Sequence, residues 1–355
     1  MAIKPKITFL PVDNGDSIVI MIDDFTIVID GGLANKYKTL KSYLVSNKIK
    51  NIDLLILTHS DRDHIGGIIS LIKNSDFNVE SVWFNSYDKL SQMFNKIKDT
   101  SQDISIGSFT NEISFAKAKT LSSLLDEQNK NYLSIYNEKF EKFEHCIGDL
   151  KFIFLSPSKK VLFDLYEKWS IEDSKTRNRE ISYASKEFRT IENYAKDLES
   201  CKADTSIQNA SSIAFILEYK NSSFLLLGDA HIDVIVESLK NQNYSQDNKL
   251  KVNFVKLSHH GSSANINQDF LDIIETNKYV ISTNGKSHNH PDIEALSLLI
   301  VEAKLKNKKI ELCFNYPNHV YGNEKNILKD KDNQDSYGYI LNFAASSNEG
   351  YTIEF

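Results

Sequence analysis

The sequence predicts an α/β protein, two packed sheets flanked by helices, and three observations predict it. Short β-branched runs alternate with helix-compatible segments along both halves of the chain. Several of those runs stop at clusters of His and Asp, as strands do that display polar residues at an open sheet edge. A composition of 41% hydrophobic and 25% charged residues is that of a globular chain able to bury a core. At 355 residues the expectation is one domain spanning 1–355, with charged helical insertions at about 86–145 and about 161–205.

The elements follow in order. Ile7 to Leu10, Ser17 to Ile22 and Phe25 to Ile29 are apolar runs separated by Asn14-Gly15-Asp16 and Asp23-Asp24, which is turn chemistry, and they predict an opening antiparallel meander. After Asp30-Gly31-Gly32 comes a helix around Tyr37 to Val45, then Asp53 to Thr58, an apolar run typical of a strand buried on both faces. Helical spacing in Leu121-Leu124-Leu125 and Tyr166-Trp169 marks the two insertions, and Leu150 to Leu155 between them returns as a strand. The second half repeats the rhythm: strands at Ile213 to Tyr219 and Phe224 to Leu227, a helix through Ile232, Val236 and Leu239, a strand at Val252 to Leu257, a helix near Phe270 to Ile274, and a strand at Tyr279 to Ser282.

Composition excludes several function classes. Lys+Arg 42 against Asp+Glu 48 gives a net charge of −6, so no global positive field gathers nucleic acid, and any such contact is a local groove. The start, Met1 to Lys6, carries no apolar stretch behind a basic head, and no run approaches the roughly 20 apolar residues that span a bilayer. A cytoplasmic protein with no membrane partner is expected. Cys146, Cys201 and Cys313 form no C-x-x-C pair, which argues against a zinc ribbon, a redox motif or a disulfide framework.

Chemistry is concentrated where strands end. In His59-Ser60-Asp61-Arg62-Asp63-His64, His59 and Asp61 stand two apart in extended chain and share a side, while Asp63 and His64 begin a helix. The pattern suits two ions, one on His59 and Asp61, the other on Asp63 and His64; the bland alternative is a solvated Asp-rich turn. Asp229, in Leu227-Gly228-Asp229, offers two oxygens that can bridge two cations, although by itself it reads equally as a helix N-cap. His259 and His260 follow another strand, and spacing does not say which of them faces an ion.

Together His59 to Gly67, Gly228-Asp229 and His259-His260-Gly261-Ser262 resemble the successive metal motifs of the metallo-β-lactamase fold superfamily, in the version with Asp in place of the second His. That version is similar to the hydrolase domain of the DNA-uptake protein ComEC and its stand-alone relatives. Asn14 to Ser17, Ile29 to Gly32, Asn209 to Ile213 and His290-Pro291 extend the match over nearly all of the chain outside the insertions. The resemblance implies an αβ/βα sandwich of two antiparallel-rich sheets with helices outside. It implies a di-metal cleft at one edge, with ligand roles for His59, Asp61, Asp63, His64, Asp229 and one of His259 or His260. One departure stands out: many members place a His at the end of the strand before the bridging Asp, where this chain has Leu155-Ser156-Pro157. Water is expected there, with His145 reaching in, or a weakly held first ion, as alternatives.

Mixed imidazole and carboxylate ligands point to two divalent ions, zinc or manganese. The expected activity is metal-dependent hydrolysis, in which water between the ions loses a proton and the hydroxide attacks a phosphorus or carbonyl centre. Asp63 would orient or deprotonate that water. By resemblance His290 contacts the scissile phosphate; a loop histidine capping the next helix is the bland reading. A phosphodiester of DNA is the first expectation, because the nearest resemblance degrades a DNA strand. A small phosphodiester such as a cyclic nucleotide is the alternative. A groove would take Lys256, Lys286 and the lysines around Lys117-Lys119 and Lys139-Lys142, with Tyr87 or Tyr132 stacking on bases, unless those lysines only solvate helix faces. From another class, the chain is an interaction subunit with a vestigial metal site whose insertions bind a protein partner.

Overall fold

The computed structural model describes residues 4–94, 110–137, 143–171, 189–286, 289–318 and 326–355. In chain order the elements are β1 (Lys6–Phe9), β2 (Ile18–Ile22), β3 (Phe25–Ile29), α1 (Tyr37–Ser46), β4 (Asn51–Ile56), α2 (Arg62–Ile72), β5 (Asn78–Trp83), α3 (Tyr87–Met93), α4 (Thr110–Glu127), β6 (Asn131–Leu133), β7 (Phe143–Ile147), β8 (Leu150–Ser156), α5 (Lys159–Ile171), α6 (Ile191–Asp197) and α7 (Ile207–Ala210). Then follow β9 (Ala214–Tyr219), β10 (Ser222–Leu226), α8 (Ile232–Asn241), β11 (Leu250–Lys251), β12 (Phe254–Lys256), α9 (Gln268–Ile273), β13 (Ile274–Glu275), β14 (Lys278–Ile281), α10 (Ile293–Leu305), β15 (Ile310–Phe314), α11 (Asn326–Lys329), α12 (Lys331–Tyr337), β16 (Tyr339–Phe343) and β17 (Tyr351–Glu354).

Two large sheets form, one in the order β17-β1-β2-β3-β4-β5-β6 and one in the order β16-β15-β14-β12-β10-β9-β8-β7. The period-two pattern of the strands explains how they stack. In β2 and β3, Ile18, Ile20, Ile27 and Ile29 face the second sheet and pack with Phe152, Phe154, Phe215 and Phe224. The intervening Val19 and Val28 face the other way, into a layer closed by Leu40, Ile65, Ile68 and Leu121 from helices α1, α2 and α4. On the far side of the second sheet, Ile216, Leu225 and Val255 pack under Ile235, Phe270 and Leu299 from α8, α9 and α10. The result is the four-layer αβ/βα sandwich the sequence predicts. The sheets are mixed rather than antiparallel-rich: β1, β2, β3 and β17 pair antiparallel, while β3 to β6 pair parallel. Likewise β7 to β10 pair antiparallel and β10, β12, β14, β15 and β16 pair parallel. The cause is the strand–helix–strand connections, which return the chain in the same direction.

The segments read as helical insertions are not wholly helical. The first contributes α3 and α4 but also β6, which pairs with β5, and β7, which pairs with β8. Tyr87 and Tyr132 do not present faces for stacking a ligand. Tyr87 stacks on Tyr166 at 5.3 Å and meets Phe115 edge-on at 5.3 Å, and Tyr132 is buried with Lys89 over its ring. Lys139 to Lys142 lie outside the described residues. Among the described residues no helix is long and apolar enough to cross a membrane.

One backbone crossing positions everything that follows. The Gly31 amide donates to the His64 carbonyl at 2.8 Å and the Gly67 amide to the Gly32 carbonyl at 2.9 Å, so the loop after β3 lies directly on the first turns of α2. A Cβ on Gly67 would stand 2.0 Å from the Gly31 carbonyl oxygen, which only a side chain of hydrogen avoids. Gly67→Ala should therefore lower stability by about 1–3 kcal/mol or more. A lower urea midpoint at constant slope checks this; an unmoved midpoint contradicts so close a crossing.

Candidate metal centre

Three loops deliver the central residues, each from the C-terminal end of a strand. After β4 the chain runs through His59 and Ser60 to Asp61, the N-cap residue of α2, whose side chain makes no capping bond and so stays available to the cleft. Asp229 follows β10; the N-cap of α8 is His231, which removes the capping explanation for Asp229. His259 and His260 follow β12 in consecutive left-handed conformations, with φ of 45° and 58°.

Three imidazoles turn one nitrogen toward the Asp229 carboxylate. His64 Nε2 lies 3.4 Å from Asp229 Oδ2, His260 Nε2 3.7 Å and His59 Nε2 3.8 Å. All three Nε2 atoms, and Asp229 Oδ1, are buried without a hydrogen-bond partner among the described residues, an expensive arrangement unless something fills their centre. The other ring nitrogen of each is held. His64 Nδ1 is 2.8 Å from Asp30 Oδ2, His260 Nδ1 2.8 Å from the Ser282 carbonyl, and His59 Nδ1 3.1 Å from both Thr58 Oγ1 and Ser212 Oγ. Fixing the far nitrogen aims the near one, as in metal-ligating histidines generally. Among the described residues, the groups that could hold an ion are His59-His64-Asp229, Asp63-His64-His260, Asp16-Asp30-His64 and Asp16-Asp229-His260.

Asp61 Oδ2 lies 3.8 Å from His59 Nε2, and its other oxygen accepts from Ser114 of α4 at 3.0 Å. Asp63 Oδ2 accepts from Asn14 Nδ2 at 2.5 Å. The two adjacent histidines separate: His260 is buried, whereas His259 is a quarter exposed, with Nδ1 3.1 Å from Asn265 Oδ1 and 3.4 Å from Asp204 Oδ2. Its Nε2 reaches only to 4.0 Å from Asp229. His290 stands at the mouth, its ring 5.0 Å from that of His259 and its Nδ1 2.9 Å from Asp292 Oδ1. It does not cap α10, whose N-cap is Asp292.

Two expectations change. Lys256 lines no groove: it is fully buried, its ammonium paired with Asp16 and 3.2 Å from the Gly228 carbonyl. The pleat of β12 puts Lys256 on the face of Phe254, which looks between the sheets. His145 does not reach the site either; on edge strand β7 it meets Trp83 edge-on at 5.4 Å. At the strand end where a further His was sought, Ser156 Oγ donates to the Ser212 carbonyl at 2.7 Å, and Ser212 is the residue that holds His59.

Asp16, Asp30, Asp204 and Ser212 belong to the site although the sequence reading assigned them no role. Asp16 and Asp30 lie inside motifs already noted, Asp16 just before one apolar strand and Asp30 just after another, each beside glycine, and that was the available signal. Asp204 accepts from Asn209 at 2.7 Å and Asn265 at 3.2 Å across the sequence, which no spacing rule indicates.

Burial and neighbouring charges sort the protonation states of the metal-free protein. Burial brings His59 down to about 4, with the His64 charge acting the same way, and burial brings His260 to about 4. Burial opposes charge on His64 too, but Asp229 and Asp30 overcome it and raise its pKa. Against burial, Asp229 and Asp204 raise His259 to about 9. Burial and then Asp63 push Asp61 up to about 6, whereas His260 and His64 hold Asp229 well below the carboxylate range despite its burial.

With comparison to known proteins, the family model described as Metallo-beta-lactamase superfamily matches residues 10–104. Among solved structures, the metallo-beta-lactamase fold protein YhfI from Bacillus subtilis is 11% identical, over 99% of this chain and 100% of that one, with a TM-score of 0.42. A diphosphatase from the PhnP family is 10% identical over 99% and 98%, with a TM-score of 0.42. Zn(2+)-bound PqqB from Methylobacterium extorquens is 8% identical over 96% and 87%, with a TM-score of 0.40. No curated protein matches the chain.

Because His59 and His260 have native pKa values below the ordinary 6.5, acid protonates them in the unfolded chain first. The stability they contribute is complete above about pH 6.5 and is lost as pH falls toward about 4. Histidine NMR titration of chelator-treated protein should show these two rings neutral down to about pH 4 and His259 protonated up to about 9; ordinary titration of all three near 6.5 would refute this burial and pairing. The residues that the metallo-beta-lactamase superfamily model matches, 10–104, carry the first ligand loop, His59 to His64.

Proposed function

We propose that the protein is a metal-dependent hydrolase that cleaves phosphodiesters, with a nucleic-acid strand, DNA first, as its substrate class. The observation that carries this reading is the set of buried, partnerless Nε2 atoms of His59, His64 and His260 around Asp229. Four ligand atoms without partners in a dry centre fit a cation site, and their chemistry suits zinc or manganese. His59, Asp61 and Asp229 would hold one ion and Asp63, His64, Asp229 and His260 the other. Bound divalent ions polarise a phosphoryl group and lower the pKa of water, the standard chemistry of paired-metal hydrolases.

The chain's own groups do the rest. Asp63, fixed by Asn14, accepts the proton of the attacking water. His290, oriented through Nδ1 by Asp292, contacts a non-bridging phosphate oxygen at the mouth. Asp30 binds no substrate and acts by orienting His64. The likeness to ComEC favours DNA. A small phosphodiester is favoured by a different observation: the chain is net acidic at −6 and buries Lys256 on Asp16, leaving less positive charge for a polymer.

Elemental analysis should find about two ions per chain, and Asp229→Ala should lose them together with hydrolysis of bis(p-nitrophenyl) phosphate. Asp63→Ala should lower kcat by about 10²–10⁴-fold. Metal retained with no cleavage of that reporter or of labelled DNA would overturn the hydrolase reading and favour an interaction subunit. Asp30→Ala should weaken metal affinity by about 10–100-fold while leaving the ligands in place; titration with a competing chelator measures it, and unchanged affinity would deny Asp30 its orienting role.

A further inference from the structure

A cavity of about 400 Å³ lies between the tail of the second insertion and the helices over the second sheet, and none of the candidate metal ligands lines it. Its floor is apolar. Ile232 at the start of α8 and Ile266 before α9 are buried, and half-buried Leu198 and Leu298 pack against the same helix layer. Its rim is acidic: exposed Glu199 and Asp233 line it, and among the described residues no Lys, Arg or His does. Asp233 is held in place. Its Oδ1 accepts from Asn267 Nδ2 at 2.8 Å, and Asn267 Oδ1 accepts from the Phe270 amide at 2.9 Å as the N-cap of α9.

The walls of this cavity also support the mouth of the metal centre. Ala203 lines it and precedes Asp204, whose carboxylate lies 3.4 Å from His259 Nδ1. Ala264 and Ile266 line it and flank Asn265, whose Oδ1 lies 3.1 Å from that same nitrogen. Ser263 lines it and donates its amide and its hydroxyl to Asp292 Oδ2, each at 2.8 Å, while Asp292 Oδ1 lies 2.9 Å from His290 Nδ1. An apolar hollow of this size suits a small organic molecule, and carboxylates with no basic neighbour repel an anion and attract a cation. We propose that the cavity is a second binding site, for a small organic cation with an apolar body such as an arylalkylammonium, and that its occupancy shifts His259 and His290 at the mouth. The apolar body would lie on the leucine and isoleucine floor and the ammonium would meet Asp233 and Glu199 in charge-assisted hydrogen bonds. A ligand that prefers one arrangement of these loops biases the histidines they hold. The site excludes a phosphate, so the proposal is independent of what the metal centre hydrolyses.

The test measures three probes by calorimetry on the full-length protein: 2-phenylethylammonium, neutral 2-phenylethanol and anionic 3-phenylpropionate. The ammonium should bind about tenfold more tightly than the alcohol, and the carboxylate should bind more weakly than either. Asp233→Asn and Glu199→Gln, both at exposed positions that leave the core intact, should each weaken the ammonium about tenfold and leave the alcohol unchanged. Asp247→Asn, on an exposed loop outside the cavity, should change neither. In NMR spectra the ammonium should move the backbone amides of Ala203 and Ala264 and the ring signals of His259 and His290. Equal binding of all three probes, or an ammonium affinity indifferent to both rim variants, would overturn the site. Binding that leaves the two histidine rings unmoved would overturn its link to the mouth.

Discussion

The Asp30 carboxylate is the constraint on which the site depends. One oxygen accepts from the Thr58 amide at 2.8 Å; the other accepts from the Thr58 hydroxyl at 2.7 Å and faces His64 Nδ1 at 2.8 Å. A single buried residue at the end of β3 thus grips both ends of the His59 to His64 loop. Thr58 in turn lies 3.1 Å from His59 Nδ1, so the two outer histidines of that loop are oriented from one point. The glycine crossing beneath it lets Asp30 come this close. Backbone packing and ligand geometry are here the same constraint.

The charges of the centre are arranged around a deficit. Asp16, Asp30 and Asp229 are all buried, and Lys256 is the one buried ammonium among the described residues. It neutralises Asp16 from behind the site, while His64 and His260 answer Asp229 from the front. Buried carboxylates are tolerated only when paired and hydrogen-bonded. The orphan atoms of the centre, three Nε2 nitrogens and one oxygen each of Asp16 and Asp229, mark where the pairing is incomplete among the described residues, and a divalent cation would complete it in sign and in ligand type. A cation bound there would link metal affinity to folding stability.

The insertions build a wall as well as a surface. Tyr87, Phe115, Tyr166 and Trp169 pack as one aromatic group, with Phe115 and Trp169 stacked at 5.5 Å and Tyr87 and Tyr166 at 5.3 Å. That packing joins α3, α4 and α5 and seats α4 against the start of α2, where Ser114 meets Asp61. The aromatics expected to meet a ligand instead position the helix that borders the cleft.

By itself the sequence determined what local periodicity and residue chemistry encode. Alternating β-branched runs set the strands and their buried faces, and polar clusters at strand ends set where candidate ligands stand, so the places of His59, Asp61, Asp63, His64 and Asp229 were legible one loop at a time. The alternation also held the direction of Lys256, two residues from Phe254 on one pleat. Only the tertiary structure separates His259 from His260, because two successive left-handed residues send their side chains where no strand or helix period predicts, and the Ser282 carbonyl captures His260 alone. It also decided the roles of Asp30, Asp204 and Ser212, whose partners lie 28 or more residues away for Asp30 and Thr58, 61 for Asp204 and Asn265, and 153 for Ser212 and His59. A sequence lists donors and acceptors, but which of them meet is fixed by strand order and by the crossing of backbones, and those are properties of the folded chain.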